Sequence, residues 1–156
     1  MKNFKQKLYD RIYNYLIEDT ESFALITKKL VKNPSVFPMI YLGMVDSSKI
    51  NLPTGVQADT TNFEIYILTN NPPEDYSKGG NEILLDLTSE VEYALAKPVN
   101  WSANHLGFKG IVKDAYFTDE AFYDDESSAG GNIAAVLSFT VVHVGSTILK
   151  DIRPEK

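Results

Sequence analysis

The feature that most constrains this fold is the order in which two hydrophobic periodicities alternate along the chain. Apolar residues recur at helical spacing from Phe4 to Ile17, and again from Leu84 to Leu95. Each of these segments comes before two segments in which apolar and polar residues alternate, as they do in strands with one buried face. The pattern predicts the order helix, hairpin, helix, hairpin.

The predicted fold is α+β, in the order α-β-β-α-β-β, with an antiparallel sheet built from two hairpins and the helices packed on one face. Residues 1–145 are predicted to form a single domain, and residues 146–156 are predicted to be a C-terminal tail. Residues 22–31 fit either a helical turn or an edge strand, and the sequence leaves both open. The predicted strands are Val36–Val45, Thr61–Leu68, Phe108–Phe117 and Ile133–Val144.

Composition narrows the class of protein. The chain has 156 residues, 44% of them hydrophobic, which suits one domain with a real core. Its net charge of -6 argues against a protein that mainly grips nucleic-acid phosphates, and we expect no direct sequence-specific nucleic-acid binding. The basic N-terminus leads into no apolar run, and no apolar stretch is long enough to span a membrane. We therefore expect a cytosolic chain with no membrane association.

The search for catalytic chemistry yields little. The chain has no cysteine, which excludes disulfides, thiolate metal ligands and a thiol nucleophile. Its two histidines are His105, in a predicted loop, and His143, which the strand pattern places at the margin of the core. No phosphate-binding, dinucleotide-binding or hydrolase motif occurs. We expect no catalytic residue, no metal and no cofactor.

One acidic segment stands out, with five acids between Asp119 and Glu126 inside a predicted loop over residues 118–132. Its spacing does not fit a calcium-binding loop. A solvated loop, a weak cation site and a protein-binding loop all remain open, and the aromatic pair inside the segment favours the last. The candidate interface residues here are Asp119, Glu120, Phe122, Tyr123, Asp124, Asp125 and Glu126.

A second candidate interface is the polar stretch Asp46–Thr60, which is long for a loop in a small domain. We expect it to protrude as an arm or loop that contacts another subunit. A basic face near the N-terminus is expected to approach the acidic segment of a neighbouring copy. The candidate residues of the arm are Lys49, Ile50, Leu52 and Val56, and those of the basic face are Lys5, Arg11, Lys28 and Lys29.

Several segments in this order carry a family resemblance. An amphipathic helix (FKQKLYDRIYNYLI) leads to a strand with proline near its start (VFPMIYLGMV), and the last hairpin ends in AAVLSFTVVHV. This arrangement resembles the tail terminator, or tail-completion, proteins of long-tailed bacteriophages. The matches "FPxI" and "xLxFTVxHV" are short, and the acidic segment matches no hallmark of that family.

The resemblance implies a non-enzymatic structural protein. Members of the family form a ring, a hexamer, that caps the tail tube, stops its polymerisation and joins it to the head. The implied partners are other copies of the chain, the tail tube protein and a head-completion or neck protein. The implied location is the host cytoplasm during assembly and then the tail or neck of the virion. The alternative from a different class is a free-standing α+β ligand-binding or regulatory module.

Overall fold

Two helices pack on one face of a mixed β-sheet in the computed structural model of the chain. The structure describes residues 4–32, 34–51, 57–70, 78–96, 112–124 and 132–144. The sheet that these residues form has five strands, in the order β1-β2-β3-β5-β4. The elements are α1 (Phe4–Asp19), β1 (Leu25–Thr27), β2 (Met39–Asn51), β3 (Gln57–Asn70), α2 (Gly80–Ala96), β4 (Val112–Asp124) and β5 (Asn132–Val144).

The α+β class is confirmed, but the prediction of a purely antiparallel sheet is wrong. Leu25–Thr27, in the region left ambiguous, forms a short edge strand that runs parallel to the start of β2. The connection from residue 28 to residue 38 carries the chain back to the same end of the sheet, which a parallel pair requires. A hydrogen bond of 2.8 Å from the Ala24 N–H to the Pro38 carbonyl fixes the entry into this pair.

The two predicted hairpin pairs are present, because β2 pairs with β3 and β4 pairs with β5. Strands β3 and β5 lie at the centre and pair antiparallel along their length. Their inward side chains face both helices, so the core is a single layer between sheet and helices. The largest fully buried side chains are Leu8, Ile12, Leu16, Ile40, Leu42, Phe63, Ile65, Ile67, Leu84, Leu95, Ile133 and Phe139.

Helix α1 is fastened to the sheet by two tyrosines as well as by its apolar stripe. The Tyr9 hydroxyl donates to the Leu42 carbonyl at 2.6 Å, and the Tyr13 hydroxyl donates to the Ile26 carbonyl at 3.0 Å. Each bond satisfies a carbonyl and holds the helix over the β1–β2 side of the sheet. Both helices begin and end close to where the periodicity predicted.

The predicted loop over Asp46–Thr60 is wrong for most of its length. Strand β2 continues to Asn51 and β3 begins at Gln57, and the two remain in register from Asp46↔Asn62 to Asn51↔Gln57. Serine and threonine fill much of this stretch, so its alternation has no hydrophobic signal. The backbone nevertheless pairs as a ladder, because β3 is held on its other side by β5 as far as Ala58.

The predicted loop over residues 118–132 is also wrong where the structure describes it. Strand β4 runs from Val112 through Asp124, so most of the acidic segment is strand. An edge strand tolerates such charges because one side of it faces solvent. Residues 108–111 of the predicted third strand lie outside the described residues.

Candidate interaction surface

The sheet face opposite the helices carries a group of tyrosines. Tyr41 and Tyr66 are cross-strand neighbours whose ring centroids lie 5.8 Å apart, and Tyr66 is 39% exposed. Tyr123 belongs to the same face at the β4 edge, and it is 60% exposed. Large aromatic side chains on an open sheet face are the residues that protein interfaces favour.

A carboxylate supports this tyrosine group. The Tyr66 hydroxyl donates a hydrogen bond of 2.6 Å to Glu64 Oε2. That bond, followed by partial burial and the charge of Glu64, raises the pKa of Tyr66 to about 12. Tyr66 therefore remains a neutral hydrogen-bond donor throughout the physiological pH range.

The same face becomes polar toward the hairpin end of β2 and β3. Asn62 donates through Nδ2 to Asp46, and the Thr140 hydroxyl donates to Asn62 Oδ1 at 2.6 Å. A shallow depression lies here, lined partly by Glu64 and Asp119. Within the described ranges, no group of three acidic or histidine side chains is arranged to hold a metal ion. The arrangement suits hydrogen bonding to a partner surface.

The predicted acidic segment is divided between the two faces of β4. The register puts Asp119 and Tyr123 on the open face, and Glu120 and Phe122 on the helix side. Burial, together with repulsion from Glu120, raises the pKa of Glu92 on α2. The Asp124 side chain and residues Asp125 and Glu126 lie outside the described part of the structure.

Two of the four predicted arm residues, Lys49 and Ile50, belong to strand β2. Lys49 points to the helix side, where its Nζ lies 3.8 Å from Asp59 Oδ1. Ile50 is on the opposite face and is 37% exposed. The other two predicted arm residues, Leu52 and Val56, lie outside the described residues.

The predicted basic face is partly engaged within the chain. Lys28 forms an ion pair with Asp10 and lies 4.8 Å from the Tyr13 ring centroid. Lys5 Nζ approaches Asp59 Oδ2 at 3.8 Å. Arg11 is placed over the ring of Tyr15, at 5.9 Å, and Lys29 is exposed.

Only part of the predicted basic face lies at the edge of the sheet opposite the acidic segment. The basic residues belong to α1 and to the segment after β1, whereas the acidic residues belong to β4. The strand order makes β1 and β4 the two outermost strands. Lys28 and Lys29, which follow β1, therefore lie toward the edge opposite β4, whereas Lys5 lies over β3 beside Asp59.

The sequence prediction missed a buried polar cluster beneath the start of α1. His143, which the strand pattern placed at the margin of the core, is fully buried, and its Nε2 lies 2.9 Å from the Thr61 hydroxyl. The ring of Phe4 covers it at a centroid distance of 4.9 Å. Asp59, opposite His143 in the ladder, is 1% exposed. The cluster is closed to solvent, so it anchors α1 and has no access to a substrate.

A detectable signal for this cluster was present in the sequence. Asp59 and Thr61 continue the two-residue spacing of Phe63, Ile65 and Ile67. Residues at that spacing share one face of a strand. Extending β3 backward by this spacing would have placed both polar residues on the core side.

A second polar contact joins the turn after α1 to α2. Glu90 Oε1 accepts hydrogen bonds from the backbone N–H groups of Glu21 and Ser22, the latter at 2.9 Å. Burial alone would raise the pKa of Glu90, but the bonds from Ser22 and Glu21 outweigh it and hold that pKa below its ordinary value of 4.5. The ionised carboxylate thus fixes the turn that follows α1.

Glu90→Gln is expected to lower the free energy of unfolding at pH 7 by about 1 kcal/mol, because hydrogen bonds to a charged acceptor are lost from a partly exposed site. A carboxylate with a lowered pKa in the folded state stabilises above its unfolded pKa and loses this contribution as the pH falls. The difference between parent and variant should therefore shrink below about pH 4.5. Urea unfolding at pH 7, 5 and 3.5 measures it.

Glu92→Gln is the matched control on the same helix. Because the pKa of Glu92 is raised in the folded state, its charge at pH 7 destabilises the fold. Removing that charge should therefore leave the free energy of unfolding at pH 7 unchanged or slightly higher. Equal losses of unfolding free energy in the two variants at pH 7 would contradict the role of Glu90 in holding the turn after α1.

Comparison with known protein families and with curated proteins gives no match. Among solved structures, a chain described as part of the "virion of native gene transfer agent (GTA) particle" resembles this one, with a TM-score of 0.59 and 17% sequence identity. The match covers 88% of this chain and 95% of that chain. The two chains share one fold.

That similarity covers nearly the whole of both chains, so the shared fold extends over most of this chain. In the described part of the chain, no helix combines the length and hydropathy that crossing a membrane requires.

Proposed function

We propose that this chain is a structural virion protein that forms a ring on the end of a phage tail tube. The ring stops polymerisation of the tube and joins the tail to the head or neck. The observation that carries the proposal is the fold shared with a gene transfer agent virion chain over 88% of this chain and 95% of the other. The order of segments in the sequence, which resembles the tail terminator family, supports it independently.

The surface of the protein suits assembly. The open sheet face presents Tyr66 and Tyr123 beside hydrogen-bonding side chains, and such mixed surfaces are typical of protein contacts. Lys28 and Lys29 follow the edge strand β1, and acidic residues lie on the opposite edge strand β4, which favours head-to-tail contacts between copies. A closed ring is built from contacts of this heterologous kind.

The proposed partners are further copies of the chain, six in the ring, the tail tube protein and a head-completion or neck protein. Assembly takes place in the host cytoplasm and ends in the virion. The function needs no catalytic residue and no cofactor, because capping is performed by surfaces that bind.

Light scattering coupled to size-exclusion chromatography tests the proposal, with the chain alone and mixed with the tail tube protein of the same virus. The expected result is a particle of about six times the 17.5 kDa chain, or a monomer that becomes a ring on tube ends. Negative-stain images should show tubes that stop growing when the chain is added.

The alternative module predicts different behaviour. A monomer or dimer that leaves tube length unchanged, and that a small molecule stabilises in a thermal unfolding screen, would exclude the ring-forming role. A tube mixture without the chain is the control for spontaneous arrest of growth.

A further inference from the structure

The two edges of the sheet are open to different extents. Strand β1 pairs only with Met39–Tyr41, so beyond Tyr41 the outer edge of β2 has no strand beside it in the described part of the chain. At the other side of the sheet, β4 is outermost along Val112–Asp124. Among the residues that the structure describes, each chain therefore presents two long edges of backbone N–H and C=O groups.

These edges differ in how they are protected. Natural proteins guard exposed edges with charges and β-bulges. Strand β4 has both, because it carries acidic side chains and its register shifts twice. The open part of β2 has one register shift and exposes apolar side chains, with Met44 45% and Val45 53% accessible. The β2 edge is thus less protected than β4 at Met44 and Val45, while exposed polar residues follow from Asp46 to Lys49.

The directions of the strands are compatible with a pair between copies. Strands β2, β3, β5 and β4 are successively antiparallel, so β4 runs opposite to β2. A second copy placed beside the first in the same orientation would therefore bring its β4 antiparallel to β2. Antiparallel addition at an edge is a common mode of recognition between chains.

The charges on the two edges are complementary. Lys28 and Lys29 directly follow β1, where the open part of β2 begins, and Lys49 lies toward its far end. The second half of β4 carries Asp119 and Glu120. Strand β1 blocks the first residues of β2, so an added antiparallel strand would place its acidic C-terminal half near Lys28 and Lys29. Two charges oppose this pattern, Asp46 on β2 and Lys113 on β4. Asp46 is already bonded to Asn62, just as Lys28 and Lys49 already form ion pairs with Asp10 and Asp59.

We propose that β4 of one copy pairs antiparallel with the open edge of β2 of the next copy, so that the sheets of neighbouring subunits join into one continuous sheet around the ring. This inference rests on the proposed function, since it names the contact that closes that ring. Backbone hydrogen bonds and apolar contacts hold the pair, while the charges select its register, because exposed ion pairs contribute little affinity.

The absence of cysteine in the chain permits a clean crosslinking test. One variant carries Ser48→Cys on β2, a second carries Thr118→Cys on β4, and a third carries Ser89→Cys on the exposed side of α2 as the matched control. All three positions are exposed. Each variant is used only if the midpoint of its thermal unfolding equals that of the parent protein. A short bis-maleimide crosslinker also joins cysteines that lie one or two residues away from direct register.

Mixing the Ser48→Cys and Thr118→Cys variants should give at least five times more covalent dimer than either variant alone. Mixtures with Ser89→Cys should give no such increase. A double variant with both Ser48→Cys and Thr118→Cys should give a ladder that ends at the size of the ring. Dimer formed mainly within one variant, or no excess in the mixture, would overturn the proposed pairing.

The parent's light-scattering mass separates this inference from the proposed function. If rings form on tubes but the β2–β4 mixture gives no excess dimer, the edge pairing is wrong and the capping role stands. If no ring forms under any condition, both are wrong. Crosslinking with rings of the expected mass supports both.

Discussion

Phe139→Ala is expected to lower the free energy of unfolding by about 3–5 kcal/mol. Phe139 is 1% exposed at the centre of the sheet, opposite Phe63 on β3, and its ring lies 4.8 Å from that of Phe117 on β4. Alanine would remove this buried ring and leave a cavity in the core between the sheet and the helices. Domains of this size are stable by only about 5–15 kcal/mol, so a large share would be lost.

Phe122→Ala is the control for Phe139→Ala. Phe122 is 39% exposed on the edge strand β4, so its loss should cost less than about 1 kcal/mol. Denaturant unfolding of both variants, with comparison of the slopes as well as the midpoints, measures the difference. Similar losses in the two variants would contradict the placement of the core between sheet and helices.

His143→Ala is expected to lower the free energy of unfolding by about 2–4 kcal/mol. The substitution removes a fully buried ring, the contact with Phe4 and the hydrogen-bond partner of the Thr61 hydroxyl. Because Phe4 begins α1, amide hydrogen exchange should also become faster in the first turns of that helix.

His143→Phe separates the two contributions. Phenylalanine retains an aromatic contact with Phe4 but cannot bond Thr61, so its loss should be smaller than that of alanine and should leave exchange in α1 nearly unchanged. If both variants are as stable as the parent, the buried cluster does not anchor the helix.

Sequence reasoning predicted the elements whose hydrophobic pattern is complete. Both helices place an unbroken apolar stripe on one side, and the centre of β3 alternates without exception from Phe63 to Ile67. Such patterns are set by burial against a single core, so they survive in the sequence alone. Strand β5 was found for the same reason.

The same reasoning failed where a strand continues without burying apolar side chains. Beyond Asp46, β2 is held by backbone pairing with β3, and serine and lysine give no periodic signal. Beyond Phe117, β4 carries acids because its outer side faces solvent, and composition alone resembled a loop. Register with a neighbouring strand decided both cases, and register is a property of the whole sheet.

The short strand β1 was undecidable for a different reason. Three residues give too little pattern to separate strand from helical turn, and its parallel direction depends on where the chain returns at Met39. The same errors affected the prediction of the candidate interaction surface. Asp119 and Glu120 were expected together on a loop, but they lie on opposite faces of β4.

The central position of β5 has a consequence for how the chain reaches its native state. Strand β3 comes from the first half of the sequence, yet its inner neighbour β5 is the last strand in chain order. Chains emerge from the ribosome N-terminus first, so the edge of β3 that pairs with β5 has no native partner until β5 is synthesised. Non-local pairing of this kind slows folding. A nascent chain interrupted before Asn132 therefore has an unpaired β3 edge that can pair with other chains. We expect the chain to need chaperones most before β5 is synthesised.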